Sequence, residues 1–248
     1  MENLDQLKTV KFYGGDETPL EMHKVRVVQK LNLLPIEERR ESIYEAGFNT
    51  FLLQNKDVYL DMLTDSGTNA MSDNQVAAMS LADDSYAGSA SFTKLQKAIE
   101  DVFNQKYFLP VHQGRAAEHI ISQAFVKKGM VVPMNYHFTT TKAHIELAGG
   151  VVEEIFTDEA LKTTSDFPFK GNMDVNKLQK VIEKWGTENI AYIRFEAGTN
   201  LIGGQPFSMA NLREVSGIAR ANHIKLLIDL SLVNENLYFI KIREEGYR

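Results

Sequence analysis

Apolar and polar positions alternate in regular blocks over most of the chain, beginning at about residue 92. Segments with the helical spacing of apolar residues precede short, mostly apolar runs, which is typical of helices that alternate with buried strands. This alternation predicts an α/β fold whose mostly parallel sheet has helices on both faces. The predicted helices are 92–104, 115–127, 140–148, 175–185, 208–222 and one from 233, and the predicted strands are 107–111, 130–134, 151–156, 190–195 and 224–229.

The first 90 residues follow a less regular pattern. Pro35 suits the start of a helix that runs to about Ala46, where Gly47 can end it. Two polar loops, at 64–73 and 83–89, flank a further predicted helix, and long polar loops placed this close together are often functional. That helix is predicted at 73–82, and short strands are predicted at 50–53 and 58–60.

Composition narrows the functional classes. The chain has 248 residues, of which 44% are hydrophobic, enough for one large α/β domain. Its net charge of -6, from 33 acidic and 27 basic residues, gives no attraction to phosphate backbones or anionic lipids. We therefore expect neither a nucleic-acid partner nor a membrane partner.

The chain has no cysteine, which excludes disulfides, thiolate metal sites and cysteine nucleophiles. No apolar run approaches the roughly 20 residues of a membrane span. The acidic start MENLD lacks the basic and apolar regions of a signal peptide. These features together predict a cytoplasmic protein.

Polar residues that could bind a ligand or take part in catalysis follow the ends of the predicted strands. Gln113, Gly114 and Arg115 follow the predicted strand 107–111 and open a helix. A glycine there lets backbone N–H groups face an anion, and Arg115 would add a charge, so the segment predicts either a phosphate site or an ordinary strand-to-helix turn. Asp229 ends the strand 224–229 and is either the partner of a cationic ligand group or a helix N-cap.

Two further segments can each have either a ligand-binding role or a structural role. Asn200, in the turn before Gly203 and Gly204, can bind a ligand oxygen or close the turn. Phe138 can cover the face of a planar cofactor or belong to the core, and Thr139 can offer its hydroxyl to a ligand or cap a helix.

Taken together, these segments carry a resemblance. The chain resembles the tyrosine phenol-lyase branch of the beta-eliminating lyases, a family that also contains tryptophanase. The matching blocks occur in the family's order and spacing, from about residue 40 to the end. They are LTDSGTNAMSD at 63–73, YAGS at 86–89, HQGR at 112–115, FTTT at 138–141 and GGQPFSMAN at 203–211.

The resemblance implies the α/β large domain of pyridoxal-phosphate (PLP) dependent fold type I. Residues 1–62 would be an N-terminal arm with part of the small domain, and residues 63–248 the N-terminal part of the PLP-binding large domain. It also implies cofactor roles: Gln113, Gly114 and Arg115 at the phosphate, Phe138 stacked on the ring, Asn200 at the ring hydroxyl oxygen and Asp229 at the ring nitrogen.

The implied activity is β-elimination of tyrosine, or of a related aromatic amino acid, to a phenol, pyruvate and ammonia. Tyr86 would donate a proton to the leaving ring, and Thr139 would bind the phenol hydroxyl. Thr64, Ser66 and Phe51 would contact the substrate, while Gly67 and Asp84 would hold K⁺ or another monovalent cation.

The chain departs from the family pattern in three ways. The Schiff-base lysine, a phosphate-binding serine and the arginine for the substrate carboxylate would all lie beyond residue 248. Leu232 stands where the family has an arginine, and Asp84 stands where it has a glutamate. We therefore expect a partner chain, equivalent to the C-terminal half, in a hetero-oligomer that is a heterotetramer or larger. The alternative is a non-catalytic remnant that acts as a regulatory or binding subunit.

Overall fold

The computed structural model describes residues 9–11, 13–15, 17–19, 30–64 and 71–247. Its tertiary contacts divide the chain into two compact units, Met1–Leu95 and Gln96–Arg248. The domain boundary expected at residues 62 and 63 stays a prediction.

The first unit contains a small hairpin and isolated helices. Strands β1 and β2 pair antiparallel, and the helix predicted after Pro35 is confirmed as α1. Helix α2 begins at a capping box, in which the Ser72 side chain accepts from the Gln75 N–H and the Gln75 side chain accepts from the Ser72 N–H. The bounds are β1 Thr9–Lys11, β2 Glu17–Pro19, α1 Ile36–Glu45, α2 Asp73–Ser80 and α3 Ala90–Phe103, the last of which spans the boundary between the units.

The strands predicted at 50–53 and 58–60 are wrong. Thr50–Leu52 forms a single 3-10 turn, in which the Asn49 side chain accepts a hydrogen bond from the Phe51 N–H at 3.0 Å. This local bond curls the backbone and competes with an extended strand. Residues 58–60 follow a second 3-10 turn, Asn55–Asp57, and pair with no strand of the described residues.

The second unit alternates helices and strands as predicted. Its four strands form one sheet in the order β4-β3-β5-β6, and every neighbouring pair is parallel. The bounds are α4 Gly114–Phe125, β3 Val131–Met134, α5 Thr139–Leu147, β4 Val151–Glu154, α6 Val175–Trp185, β5 Ile193–Glu196, α7 Met209–Ala221, β6 Leu226–Asp229 and α8 Val233–Arg243.

Successive residues of each strand face opposite sides of the sheet, and each side has its own apolar core. Val131, Ile193 and Phe195 pack with residues of α6 and α7 on one face. Val132 and Met134 pack with residues of α4 and α5 on the other face. The predicted α/β class, with a parallel sheet between helices, is therefore confirmed.

The strand predicted at 107–111 is wrong. Tyr107 and Leu109 are 86% and 69% exposed, and the segment pairs with no strand among the described residues. Pro110 lies in it and lacks the N–H that a central strand donates to its neighbour. Helix α4 therefore follows an irregular segment instead of a strand.

The strand order places a topological switch point between β3 and β5. The chain moves from β3 outward to β4, and then returns across β3 to continue through β5 and β6. In open parallel sheets, the crevice at the carboxyl ends of the strands next to such a reversal is where ligands bind. This edge carries the candidate site.

Candidate functional site

A buried asparagine joins the ends of the two strands that flank the switch point. Asn135 directly follows β3 and is only 1% exposed. Its side-chain amide donates to the carbonyls of Gly171 and Glu196 and to the Thr199 hydroxyl at 2.9–3.0 Å. Its side-chain oxygen accepts from the Glu196 N–H at 2.9 Å. These bonds fix the backbone that leads from β5 into the next turn.

That turn carries Asn200. Thr199 and Gln205 exchange backbone hydrogen bonds, and the turn between them requires left-handed backbone at Gly203 and Gly204, with φ values of 88° and 66°. The Asn200 N–H donates to the Glu196 carboxylate at 3.0 Å, and the residue is exposed. The turn closes through backbone hydrogen bonds, two of which the Asn200 carbonyl accepts from the Gly203 and Gly204 N–H groups, so its closure does not need the Asn200 side chain.

Asp229 ends β6 and lies in a charged cluster. The Arg194 guanidinium donates to Asp229 at 2.6 Å and to Glu196 at 2.9 Å. Ser231 donates its N–H and its hydroxyl to the second Asp229 oxygen, at 2.9 and 2.6 Å. Burial by itself raises the pKa of Asp229, but the charge of Arg194 and the bonds from Ser231 outweigh it and hold that pKa below its ordinary value. The carboxylate is therefore ionised at neutral pH.

The first turn of α4 lies at the same edge of the sheet. Glu118 of this helix accepts hydrogen bonds from the hydroxyls of Thr140 and Thr141, in the first turn of α5. Because α5 begins just after the carboxyl end of β3, this contact brings Gln113, Gly114 and Arg115 to that edge.

The start of α4 is open. A Cβ added at Gly114 would meet no atom within 4 Å, and Arg115 is exposed in the first turn. The N–H groups of a helix start, with an arginine beside them, suit an anion. The Gln113 side-chain amide lies 3.2 Å from the His112 ring nitrogen, so it is held near the helix start.

Phe138 and Thr139 open α5. Phe138 is half-buried and occupies the N-cap position, while Thr139 is exposed as the first residue of the helix. Phe138 is thus not a fully buried core residue, and Thr139 is not the cap. His137, next to them, stacks on Tyr136 and is hydrogen-bonded through its ring to the Glu154 carboxylate at the end of β4.

Four of the other predicted site residues are described residues of the first unit. Phe51 is 77% exposed, Tyr86 is fully exposed and Asp84 is exposed. The Thr64 N–H donates to the Asp61 side chain at 2.9 Å. Ser66 and Gly67 lie outside the described residues. The substrate and cation roles of all six stay predictions.

Sequence reasoning missed Arg194, Glu196 and Asn135. A signal was present, because Arg194 and Glu196 stand two apart in an otherwise apolar strand, and charges inside a covered sheet must be paired.

In the loop before α3, it is Asp83 that accepts from the Ala90 and Ser91 N–H groups, at 2.9 Å each, whereas Asp84 is exposed.

The described residues contain no group of three or more His, Cys, Asp or Glu side chains that could hold a metal ion. None of their helices is both long and apolar enough to cross a membrane.

The donor set at the sheet edge fits PLP. This cofactor presents a phosphate, a ring nitrogen that binds a proton, a ring oxygen and a flat aromatic face. The open helix start with Arg115 suits the phosphate, the ionised Asp229 suits the protonated nitrogen, and Asn200 and Phe138 suit the oxygen and the face.

Comparisons with known proteins agree with this chemistry. The model of the family described as "Beta-eliminating lyase" matches residues 61–244. The chain is 46% identical over 228 residues to a tyrosine phenol-lyase of Symbiobacterium sp. (strain SC-1), covering 92% of this chain and 50% of the relative. It is 48% identical over 229 residues to the tyrosine phenol-lyase of Clostridium tetani, again covering 92% and 50%. The chain thus spans about half the length of the curated relatives it matches.

Two solved structures are similar at a lower level. Cystalysin from Treponema denticola, with a PLP cofactor, covers 62% of this chain and 38% of its own at 13% identity and a TM-score of 0.44. A PLP-bound C–S lyase from Staphylococcus hominis covers 62% of this chain and 39% of its own at 12% identity and a TM-score of 0.45.

Proposed function

Because the chain belongs to the beta-eliminating lyase family, we propose that it is one subunit of a split, PLP-dependent carbon–carbon lyase. Its parallel sheet between two layers of helices supports the assignment of this part of the chain to a fold-type-I large domain. The proposed reaction is β-elimination of tyrosine, or of a related aromatic amino acid, to a phenol, pyruvate and ammonia.

The observation that carries this proposal is the ionised Asp229 at the carboxyl edge of the sheet, where the turn of Asn200 and the starts of α4 and α5 also lie. When bound, PLP supplies an electron sink for the carbanion formed at the substrate α-carbon. Asp229 keeps the ring nitrogen protonated, which that electron sink requires. Asn200 binds the ring oxygen, and Phe138 covers one face of the ring and excludes water.

The phosphate and the substrate are assigned to other residues. Gln113, Gly114 and Arg115 bind the phosphate through the helix start and a positive charge. Thr139 binds the phenol hydroxyl, and Tyr86 gives a proton to the leaving ring. The remaining assignments are Thr64, Ser66 and Phe51 to the substrate, and Gly67 and Asp84 to K⁺ or another monovalent cation.

The Schiff-base lysine is assigned to a partner chain. The surface of the second unit supports this assignment, since β6 pairs only with β5 among the described residues and Ile228 is 38% exposed there. Exposed apolar side chains also occur on α8, at Leu237, Tyr238 and Ile242. An open strand edge calls for a covering strand, and a second polypeptide that completes the sheet would provide it. The assembly is then a hetero-oligomer, a heterotetramer or larger.

A second candidate is a non-catalytic regulatory or binding subunit. Leu232 favours it, because this side chain lies at the N-cap position of α8 and packs closely against Gly198, where a Cβ would come within 2.7 Å of the Leu232 Cβ. The position is thus filled by an apolar side chain that gives no hydrogen bond to a ring oxygen. In this candidate the site binds PLP without turnover.

Co-expression with the adjacent reading frame separates these candidates. We expect a second chain to co-purify, the visible absorption band of lysine-bound PLP to appear only in the complex, and tyrosine to yield phenol and pyruvate. Asp229→Asn should abolish turnover in the complex, whereas the exposed Asp166→Asn serves as a matched control and should leave it unchanged. A complex that binds PLP but releases no pyruvate from any aromatic amino acid would favour the non-catalytic candidate.

A further inference from the structure

A buried arginine on β5 binds two carboxylates at once. The side chains of Arg194 and Glu196 are 2% and 5% exposed, and that of Asp229 is 22% exposed. One guanidinium nitrogen donates to Glu196 and the other donates to Asp229. All three residues lie on the sheet face that α4 and α5 cover, because they share the alternation of Tyr192 and Leu227 in that core.

The cluster links the two residues assigned to the cofactor ring. The Glu196 oxygen that does not bind Arg194 accepts the backbone N–H of Asn200 at 3.0 Å. A continuous chain of hydrogen bonds therefore runs from Asn200 through Glu196 and Arg194 to Asp229. We propose that Arg194 is a positioning residue that holds Asp229 and Asn200 at the spacing of the ring nitrogen and ring oxygen of a pyridoxal cofactor. This inference rests on the proposed function and deepens its cofactor site.

The charge of the cluster supports this role. Two carboxylates face one guanidinium, so the cluster carries one net negative charge in a largely buried place. A buried charge without compensation is unfavourable, and a protonated ring nitrogen at Asp229 would neutralise it. The planar guanidinium also fixes the direction of both carboxylates, which a lysine ammonium would not do.

The test measures binding of pyridoxamine 5'-phosphate, which forms no Schiff base and so needs no lysine. Its analogue with C–H in place of the ring nitrogen serves as the second probe. The protein is used as purified, with any chain that co-purifies. In the unsubstituted protein we expect the nitrogen-containing probe to bind more tightly than the analogue, because only the former reaches Asp229.

Arg194→Met should raise the Kd of pyridoxamine 5'-phosphate by about tenfold or more, the loss expected for one charged hydrogen-bond contact. The Kd of the analogue, which keeps the ring oxygen for Asn200 but has no ring nitrogen for Asp229, should rise by a smaller factor. A merely structural role would weaken both probes equally. Arg194→Lys should restore only part of the preference, and the exposed Arg220→Met should change neither Kd.

Removing Arg194 alone can unfold the protein, since it leaves the buried Glu196 and the partly buried Asp229 without their shared cation. The double variant Arg194→Met/Glu196→Gln keeps the net charge of the cluster and should show the same loss of preference. An unchanged preference in this double variant, or tighter binding of pyridoxamine 5'-phosphate, would overturn the inference alone. Failure of the unsubstituted protein to bind pyridoxamine 5'-phosphate would overturn the proposed function, and the inference with it.

Discussion

Replacement of Asn135 by alanine tests how the candidate site is held together. This side chain is 1% exposed and joins the ends of β3 and β5 at the switch point. Alanine removes every one of its hydrogen bonds and leaves the backbone N–H of Glu196 and the carbonyl of Gly171 without this partner. The substitution changes no charge and touches no residue assigned to the cofactor.

The magnitude follows from the number of hydrogens available. The Asn135 amide nitrogen carries two hydrogens, so its contacts with Gly171, Glu196 and Thr199 count as two full bonds. The bond that its oxygen accepts makes a third. At about 1 kcal/mol for each bond, and with buried groups left unsatisfied, Asn135→Ala should lower the free energy of unfolding by about 3 kcal/mol.

Urea unfolding followed by circular dichroism measures this change, with Asn176→Ala as the control. Asn176 is exposed on α6, and its replacement should change stability by no more than about 0.5 kcal/mol. If Asn135→Ala also shifted stability by less than about 1 kcal/mol, the view that this side chain fixes the switch point would be refuted.

Three further predictions follow from single residues. The pKa of Asp229 lies below its ordinary value of 3.8, so its ionised form stabilises the fold above that pH, and this contribution is lost as the pH falls through the folded-state pKa. Asp229→Asn should therefore reduce the loss of unfolding free energy at acid pH. An unchanged acid dependence would contradict the pairing with Arg194. Gly171→Ala should lower the free energy of unfolding by about 2 kcal/mol or more, because the added Cβ would come within 2.2 Å of the Gln205 carbonyl oxygen. Gly217→Ala, in α7 and without a neighbour within 4 Å, should instead raise it by up to about 1 kcal/mol, and urea unfolding of both variants checks the two signs. Gly114→Ala should change the free energy of unfolding by no more than about 1 kcal/mol but weaken the binding of pyridoxamine 5'-phosphate, measured by calorimetry. Unchanged binding would refute the assignment of the phosphate to the start of α4.

Elements that are determined by local chemistry were predicted well from the sequence. Helix α6 has the predicted bounds, because Asp174 caps its first turn and Gly186 ends it with a φ of 73°. Strands β3, β5 and β6 are short segments between such helices, and their type was predicted although their ends differ from the predicted ones by up to three residues. The positions after these strands could be chosen as site candidates because parallel strands bring their carboxyl ends to one edge.

The segment 107–111 shows where local pattern fails. Its apolar residues are compatible with a strand, but a strand exists only where another strand accepts its hydrogen bonds, and no described strand does so here. For the same reason, the ion pairs at the candidate site could not be predicted from the sequence. The sequence shows Arg194, Glu196 and Asp229 as three charges in two apolar strands, and it cannot show that they bind one another.

The sequence by itself determined the α/β class, the family and the residues assigned to the cofactor, because these depend on periodicity and on short motifs read along the chain. Only the tertiary structure decided the strand order, the bond from Asn135 to Glu196 and the pairing of Arg194 with Asp229. These depend on the parallel register of β5 and β6, which places Glu196 beside Asp229 although the two lie 33 positions apart in the chain. Contacts of that kind form only when the sheet assembles, since no local property of either strand specifies its partner.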